Sequence, residues 1–385
     1  MSVLAIDLEQ FVRDPYGTGI QRVLQGMARH WPNDVLQAQF VIPWGDELAL
    51  LDSEQATALL DLPFQDHPDD VDLRFVIRDH LVDLQPIRVD LGRLLALVDG
   101  WFLPEVSYLD QVLDRAELAA RCLPTGMIGN DALPQTHPAN YRFAPGNSGR
   151  VSRYFRMLAS VETLVCISEE SRQDMWQRLR RDRALTTTVS LPGGDHLPVR
   201  ASRATTPPTF LRLGTLEGRK RPREILAGFR AAVAAGSSAQ LIFLGKESKS
   251  DLAINADVEQ AMAAGLPVRW IRHASDAGIA DLMNQASVFL SFGVEGYGIP
   301  VLESIRQGTP VLYSGIQPAA EVMRGRGARP VVADTIDEMA AMFQEFASPG
   351  ALADLRAEVD PHAVPTWRQF SHDIASAMLQ AIRRN

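Results

Sequence analysis

Along this chain, short apolar runs alternate with segments whose apolar residues recur every three or four positions, the pattern of strands alternating with amphipathic helices. A first strand is predicted over residues 2–6, followed by a long loop containing DPYGTGIQRV, after which Ile20, Val23, Leu24 and Met27 fall at helical spacing. Apolar runs with short helical segments continue through 40–42, 75–77 and 100–103, and this half closes with a run at 164–167 and a helix after Ser168. Residues 199–209, VRASRATTPPT, are poor in large apolar side chains and rich in Pro, Thr and Ser, which predicts an interdomain linker.

The rhythm then restarts. Strands are predicted at 210–213, 240–244, 268–271, 287–292 and 309–313, with helices at 223–235, near 252–264 and at 279–285. In the last segment, 367–384, Phe370, Ile374, Met378 and Ile382 recur at intervals of four, as in a terminal amphipathic helix. Alternation of this kind implies parallel sheets with helices on both faces, and such sheets bind ligands beyond the carboxyl ends of their strands.

Composition adjusts the picture at a few points. A length of 385 residues suits two domains, each able to bury its own core, and 46% hydrophobic with 22% charged residues is a globular balance. A net charge of −9 argues against a general nucleic-acid binder. Two cysteines cannot form a disulfide framework; Cys122 and Cys166 both sit in apolar sequence surroundings that predict buried, inert thiols and a reducing compartment. Asp7 and Glu9 interrupt the apolar run that a signal peptide needs, and no window of 18 apolar residues suggests a membrane span, so the expected location is cytoplasmic. Arg150, Arg153 and Arg156, and again Arg172, Arg178, Arg180, Arg181 and Arg183 around Trp176, read first as solvated helix faces. Peripheral contact with an anionic inner membrane surface stays open as the second reading.

The densest chemistry lies in residues 291–322, SFGVEGYGIPVLESIRQGTPVLYSGIQPAAEV. Pro300 suits the first position of a helix and Gly308 the position just past its end, which places Glu295 in the preceding loop and Glu303 in the first turn. Backbone amides of 298–302 are then expected to be unpaired at the positive end of the helix dipole, where a phosphate oxygen is favoured. Gly296 and Gly298 let a ligand approach the backbone closely. Two carboxylates flanking an anion-binding helix start suit a molecule with hydroxyls at both ends and phosphates between. The plainer alternative is an ordinary strand, loop and helix with both glutamates solvated.

At these residues the chain resembles the retaining glycosyltransferases of family 4, whose hallmark is a Glu-x7-Glu motif of the form EGFGxPxLEAxxxGxPV. Tyr297 stands where the family usually has Phe, and Ser304-Ile305 where it often has Ala-Met. The resemblance implies a GT-B fold, α/β with two Rossmann-like domains facing across a cleft: 1–200 for the acceptor, 201–366 for the nucleotide sugar, and 367–385 a helix that crosses back. It implies that Glu303 holds the ribose hydroxyls, and that Glu295 with Gly296, Tyr297, Gly298 and Ile299 holds the sugar. The turn Gly214-Thr215-Leu-Glu-Gly-Arg219-Lys220 matches a family turn whose Lys and Arg grip the donor phosphates. Thr215 occupies the place of an Arg in a second form of that turn, so Arg219 is assigned through the first form alone. Gly17-Thr18-Gly19 with Arg22 resembles the glycine-rich loop over acceptor and phosphates, Asn130-Asp131 stands where the family has His-Asp near the donor sugar, and Arg272-His273 lies where the base is framed. Pro192-Gly-Gly-Asp-His196 resembles a structural turn before the linker, and Ser168 and Ser171 resemble a Ser-x-x-Ser turn, with capping as the reading for Ser168. No metal and no cofactor are implied; the nucleoside-diphosphate sugar is a co-substrate, and the other partner is a glycan or lipid-linked oligosaccharide. A sugar-nucleotide epimerase on the same fold, or a catalytically idle nucleotide-sugar or glycan-binding protein, remain the alternatives.

Overall fold

The structure, a computed structural model, describes residues 1–65, 67, 71–138, 147–182, 184–199, 206–249 and 251–385. Arg183 of the basic run and residues 200–205 of the expected linker lie outside the described residues. The chain forms two compact units, one made of Met1–Gly193 with Thr366–Asn385, the other of Gly194–Pro365.

The first unit is built on strands β1 (Val3–Asp7), β2 (Gln37–Trp44), β3 (Glu47–Leu51), β4 (Ile87–Val89), β5 (Gly100–Leu103), β6 (Thr125–Gly129), β7 (Thr163–Cys166) and β8 (Thr186–Val189), in the order β4-β3-β2-β1-β5-β6-β7-β8. Pairings from β2 through β8 across β1 are parallel, as the alternation predicts, but β2-β3 and β3-β4 are antiparallel. Trp44 pairs with Glu47 across only Gly45 and Asp46, with Gly45 at φ 62°. A two-residue turn of that kind makes a hairpin, whereas a parallel crossover needs a dozen residues or more. The apolar run at 75–77 belongs to a helix, Leu73–Asp83, in which Phe75 is exposed and Ile77 buried.

The second unit holds β9 (Thr209–Leu213), β10 (Gln240–Leu244), β11 (Val268–Ile271), β12 (Val288–Val294), β13 (Val311–Ile316) and β14 (Ala328–Pro330), all parallel, in the order β11-β10-β9-β12-β13-β14. One face is covered by the Pro222–Ala234 and Ile336–Glu345 helices, whose Phe229 and Phe343 meet edge to face at 5.2 Å, with Phe210 of β9 at 4.8 Å from Phe343. Such pairs add about 1 kcal/mol each to the burial of their area.

The terminal helix, Trp367–Arg384, packs within the first unit. Thr366 caps it by accepting from the Gln369 amide, and its buried stripe of Trp367, Phe370, Ile374 and Met378 is the four-residue pattern seen in the sequence. Gly26 makes room for the Trp367 indole, since a Cβ there would overlap the ring, and Ser371 Oγ donates to the Met27 carbonyl at 3.1 Å. Gly126 and Gly100 do the same for Met378 and Ile382. Trp367→Ala should therefore destabilise the first unit by about 3–5 kcal/mol, the cost of emptying an aromatic core site. A urea midpoint within error of wild type would show that the helix is only laid on the surface.

Candidate active site

In the second sheet the chain starts at β9, builds outward through β10 and β11, and returns to the other side of β9 with β12. The strand order reverses between β9 and β12, and in open α/β sheets the crevice beyond the carboxyl ends at such a reversal receives the ligand. Glu295 follows directly after β12. After β9 the chain turns at Gly214 (φ 119°), makes one 3-10 turn over Gly218–Lys220, and enters the Pro222–Ala234 helix through Arg221 at φ 56°. What brings that turn against β12 is Gly293, at φ 92°, where a Cβ would collide with the Arg219 carbonyl. Gly315 repeats the device one strand over, its missing side chain leaving space for the Gly293 carbonyl. Only glycine serves at both positions, for conformation and for room.

The close approach sets the electrostatics. Glu295 receives Lys220 Nζ at 3.0 Å on Oε1 and Arg219 Nη1 at 2.9 Å on Oε2, with Arg212 Nη2 at 3.9 Å from Oε1. Arg219 also donates through Nε to Glu217 at 2.8 Å. Burial acts to raise the Glu295 pKa, but Lys220, Arg219 and Arg212 overcome it and hold the carboxyl at about 2. The cations bear the cost. Burial pulls Arg212 down to about 10, with Glu295 opposing, and it lowers Lys220 from the usual lysine range, helped by repulsion from Arg212 and Arg219. Three cations face two carboxylates here, leaving one positive charge in excess in a largely dry setting, which is suited to an anionic ligand.

The helix that follows starts one residue earlier than predicted, at Ile299, with Pro300 second and Gly298 as its N-cap at φ 104°. Glu303 is thus the fifth helical residue, in the second turn and not the first. The Val301 amide, expected to be unpaired, is taken by the Gly298 carbonyl at 3.0 Å. Gly308, at φ 82°, lies just past the end as expected. Tyr297 is buried, and its carbonyl accepts from the Ala319 amide; Gly296 lies between it and Glu295. Glu303 is buried as well, with His196 Nε2 2.8 Å from its Oε1. His196 stands in the turn that sequence reasoning read as structural. Gly194 in that turn abuts Leu302, the residue before Glu303, which is how the turn reaches the helix. Gln317 also joins the site frame, donating to the Gly293 carbonyl at 3.2 Å and accepting from Ser291 Oγ at 2.7 Å.

Of the other expected residues, Thr215 and Arg272 stand in the second unit and the rest in the first. Thr215 follows Gly214 in the basic turn, its carbonyl accepting from the Glu217 amide. Arg272 is half exposed beyond β11, the edge strand, where it pairs with Glu247 and Glu259 and stacks on Trp270 at 4.2 Å. In the first unit, Thr18 caps the Gly19–Arg29 helix and Gly17 takes φ 62°; a short helix, Glu9–Arg13, stands between them and β1, where the sequence predicts one long loop. Arg22 is buried, its guanidinium 3.7 Å from the Phe64 ring centre and donating to Gln25. Asn130 is buried at the end of β6; its carbonyl accepts from Ser171 Oγ at 2.8 Å, and Asp131 accepts from the Leu133 amide, orienting the loop. Ser168 caps the next helix, accepting from the Ser171 amide.

One cysteine departs from expectation. Cys122 is exposed, not buried, because it falls in the turn after the Asp110–Ala120 helix; Cys166, inside β7, is buried and its thiol is pushed up to about 12. Several arginines of the basic run are ion-paired. Arg150 and Arg153 pair with Asp110, Asp114 and Glu117, Arg172 with Glu169, and Arg178 with Asp174. Arg181 is buried, giving its protons to the carbonyls of Leu158, Val161 and Thr186. Among the described residues no helix is long and apolar enough to cross a membrane.

Comparison with known proteins agrees with this geometry. Residues 197–354 match the family described as glycosyl transferases group 1, a span that contains the whole cluster around Glu295. The serotype-specific mannosyltransferase WbdA of Escherichia coli is 26% identical over 150 residues, 37% of this chain but only 18% of the relative, so the chain spans under a fifth of that protein's length. A sucrose-phosphate synthase from Thermosynechococcus elongatus superposes over 100% of both chains with a TM-score of 0.66 at 13% identity. Anabaena Alr3699/HepE, solved with UDP and glucose, superposes over 100% of this chain and 98% of its own with a TM-score of 0.59 at 13% identity. The fold is therefore that of the two-domain GT-B glycosyltransferases.

The depressed Glu295 pKa carries a stability prediction. A carboxyl held at about 2 against an ordinary 4.5 contributes about 3 kcal/mol at neutral pH, present above pH 4.5 and lost as pH falls toward 2. Glu295→Gln should be less stable than wild type by about that amount at pH 7, and the difference should shrink at acid pH. Urea titrations at several pH values read this; equal stability at pH 7, or a difference that grows on acidification, would rule out the ion cluster.

Proposed function

We propose that this chain, a group 1 glycosyl transferase over its second unit, moves a sugar from a nucleoside-diphosphate sugar to a hydroxyl of a glycan or lipid-linked acceptor with retention of anomeric configuration. The carrying observation is the net-positive, buried cluster of Lys220, Arg219 and Arg212 around Glu295 at the β9/β12 reversal. A diphosphate is the ligand such a cluster suits, and UDP with glucose in the Anabaena neighbour supports the nucleotide-sugar reading. The serotype-specific mannosyltransferase among the relatives supports a role in cell-surface polysaccharide synthesis.

In this reading the diphosphate lies against Lys220 and Arg219. Glu295, fully ionised at neutral pH, accepts from sugar hydroxyls. Glu303 accepts from the ribose, with His196 fixing the orientation of its carboxylate. The bond from the anomeric carbon to the phosphate oxygen breaks, its electron pair leaving with the diphosphate. The acceptor oxygen bonds to that carbon on the same face, and the hydroxyl proton departs with the diphosphate. Charge accumulates on the leaving group as the bond stretches, and the preorganised cations stabilise it where it appears. No protein nucleophile is assigned; rate comes from positioning and electrostatics. The protein's own cations neutralise the leaving group, so the reaction proceeds without a divalent metal.

Incubation of the purified protein with UDP-, GDP-, dTDP- and ADP-sugars, with and without glycan acceptors, tests the assignment. Transfer should require acceptor and persist in EDTA. Epimerised donor without acceptor would replace the reading with an epimerase, and donor bound but unchanged throughout would replace it with a binding protein. Lys220→Ala should lower kcat on the order of 100-fold at saturating donor. A variant within about threefold of wild type would move the phosphate role elsewhere.

A further inference from the structure

The Asp110–Ala120 and Ser148–Ser160 helices lie side by side in the first unit, their apolar faces sharing one core of Val112, Leu113, Ala116, Val151, Phe155 and Leu158. A ladder of ion pairs joins their outer edges: Arg150 with Asp110 at 2.6 Å, then Arg153 with Asp114 and with Glu117, both at 2.6 Å. The partners ascend together, so the helices run in the same direction, with acids at the edge of one and arginines at the edge of the other. After Asp110, Asp114 and Glu117, the next residue at the same spacing of three or four is 121, and it is an arginine. On the other helix Arg150 and Arg153 are followed by Arg156. The last rung therefore has an arginine on each side and no acid. Among the described residues neither Arg121 nor Arg156 makes an ion pair, whereas Arg150 and Arg153 both do.

A cavity of about 310 Å³ opens at that rung. Arg121, Arg153 and Arg156 line it with Glu117 as the one carboxylate, and Met157 and Val161 give it an apolar wall. Glu117 belongs to the rung before: the hydrogen bond from Arg153 holds its carboxyl below the usual range, with the charge of Arg121 adding to the effect. Arg153 is thus balanced within the ladder, and the charges of Arg121 and Arg156 remain. Two guanidinium forks match the geometry of a phosphate, and a phosphomonoester carries about −1.5 to −2 at pH 7, the charge they lack. The volume is that of a small ligand site and exceeds the need of a bare ion.

Helix ends account for part of this arrangement only. Arg121 is the C-cap of its helix, where the negative end of the dipole favours a cation. Arg156 has no such explanation, since it precedes the last turn of its helix, which holds no basic residue. The two helices lead into β6 at Thr125 and β7 at Thr163, so the cavity lies where those strands begin, at the end of the first sheet opposite its carboxyl ends.

We propose that this cavity binds a phosphomonoester, with Arg121 and Arg156 holding the phosphate in place of the ladder's missing acid and Met157 and Val161 touching the organic part. The site stands whether or not the second unit transfers a sugar. A soluble phosphomonoester and a lipid headgroup carry the same group, and the experiment separates them.

Glycerol 3-phosphate is titrated into the full chain by calorimetry at neutral pH, and the chain is floated with phosphatidylcholine vesicles containing either phosphatidic acid, a monoester, or phosphatidylglycerol, a diester. Wild type should bind glycerol 3-phosphate, which identifies a soluble ligand, or phosphatidic acid vesicles in preference to phosphatidylglycerol, which identifies a headgroup. Arg121→Gln and Arg156→Gln should each weaken that binding about tenfold, the loss of one charged hydrogen bond. Both side chains are exposed and break no ion pair when replaced, so the variants should melt with the wild type. Glu117→Gln removes the one carboxylate of the lining and should tighten binding about threefold while lowering the melting temperature through the lost Arg153 pair. A ladder that only braced the helices would lose stability there and gain no affinity. Failure of wild type to bind either form, equal flotation with both anionic vesicles in the absence of glycerol 3-phosphate binding, undiminished binding by the double glutamine variant, or binding by Glu117→Gln no tighter than wild type overturns the site.

Discussion

The contact between the Arg219 carbonyl and the Cα of Gly293 is the constraint on which the second unit's chemistry depends. With any side chain at 293 the Gly218–Lys220 turn would be pushed off the end of β12. Lys220 and Arg219 would then lose their distances of 3.0 and 2.9 Å to Glu295. The consequence reaches further, because Arg212 enters the sheet one strand away and pairs with the same carboxylate at 3.9 Å. A backbone approach of this kind cannot be adjusted by rotamers, so it fixes the spacing of the charges more firmly than the side chains could by themselves.

That arrangement holds the cations in tension. Burial lowers both Lys220 and Arg212, and the two carboxylates in contact, Glu295 and Glu217, cannot balance three positive groups. The same dryness that makes the empty cluster costly strengthens its attraction for an incoming anion, and for charge that develops on it during reaction. Glu295 therefore has two parts to play: it keeps the cations ionised and in place, and its remaining acceptor capacity faces the ligand's hydroxyls.

Much of this was legible in the chain because periodicity was strong where the elements are long or fully buried. Residues 240–244, 268–271 and 367–384 read as strand, strand and helix, and are those elements. The Glu295 loop, the basic turn and Gly308 were readable because special backbone positions draw on few residue types. The β2-β3 hairpin was missed although Gly45-Asp46 is a turn signal, since the flanking residues form one apolar run. Arg212 and His196 were passed over for a different reason. Whether a side chain lies under Glu295 or braces Glu303 is decided by contacts between residues far apart in sequence. Cys122 shows the limit of composition: apolar neighbours in sequence do not bury a residue at a helix end.

The two strand-order reversals differ in charge. Beyond β9 and β12 three cations meet the carboxylates of Glu295 and Glu217; beyond β1 and β5 Asp7 and Glu9 are paired with Arg115, and burial raises the Glu105 carboxyl to about 8. An anion is therefore favoured at the first reversal, where positive charge is in excess, and not at the second, where carboxylates outnumber their cation.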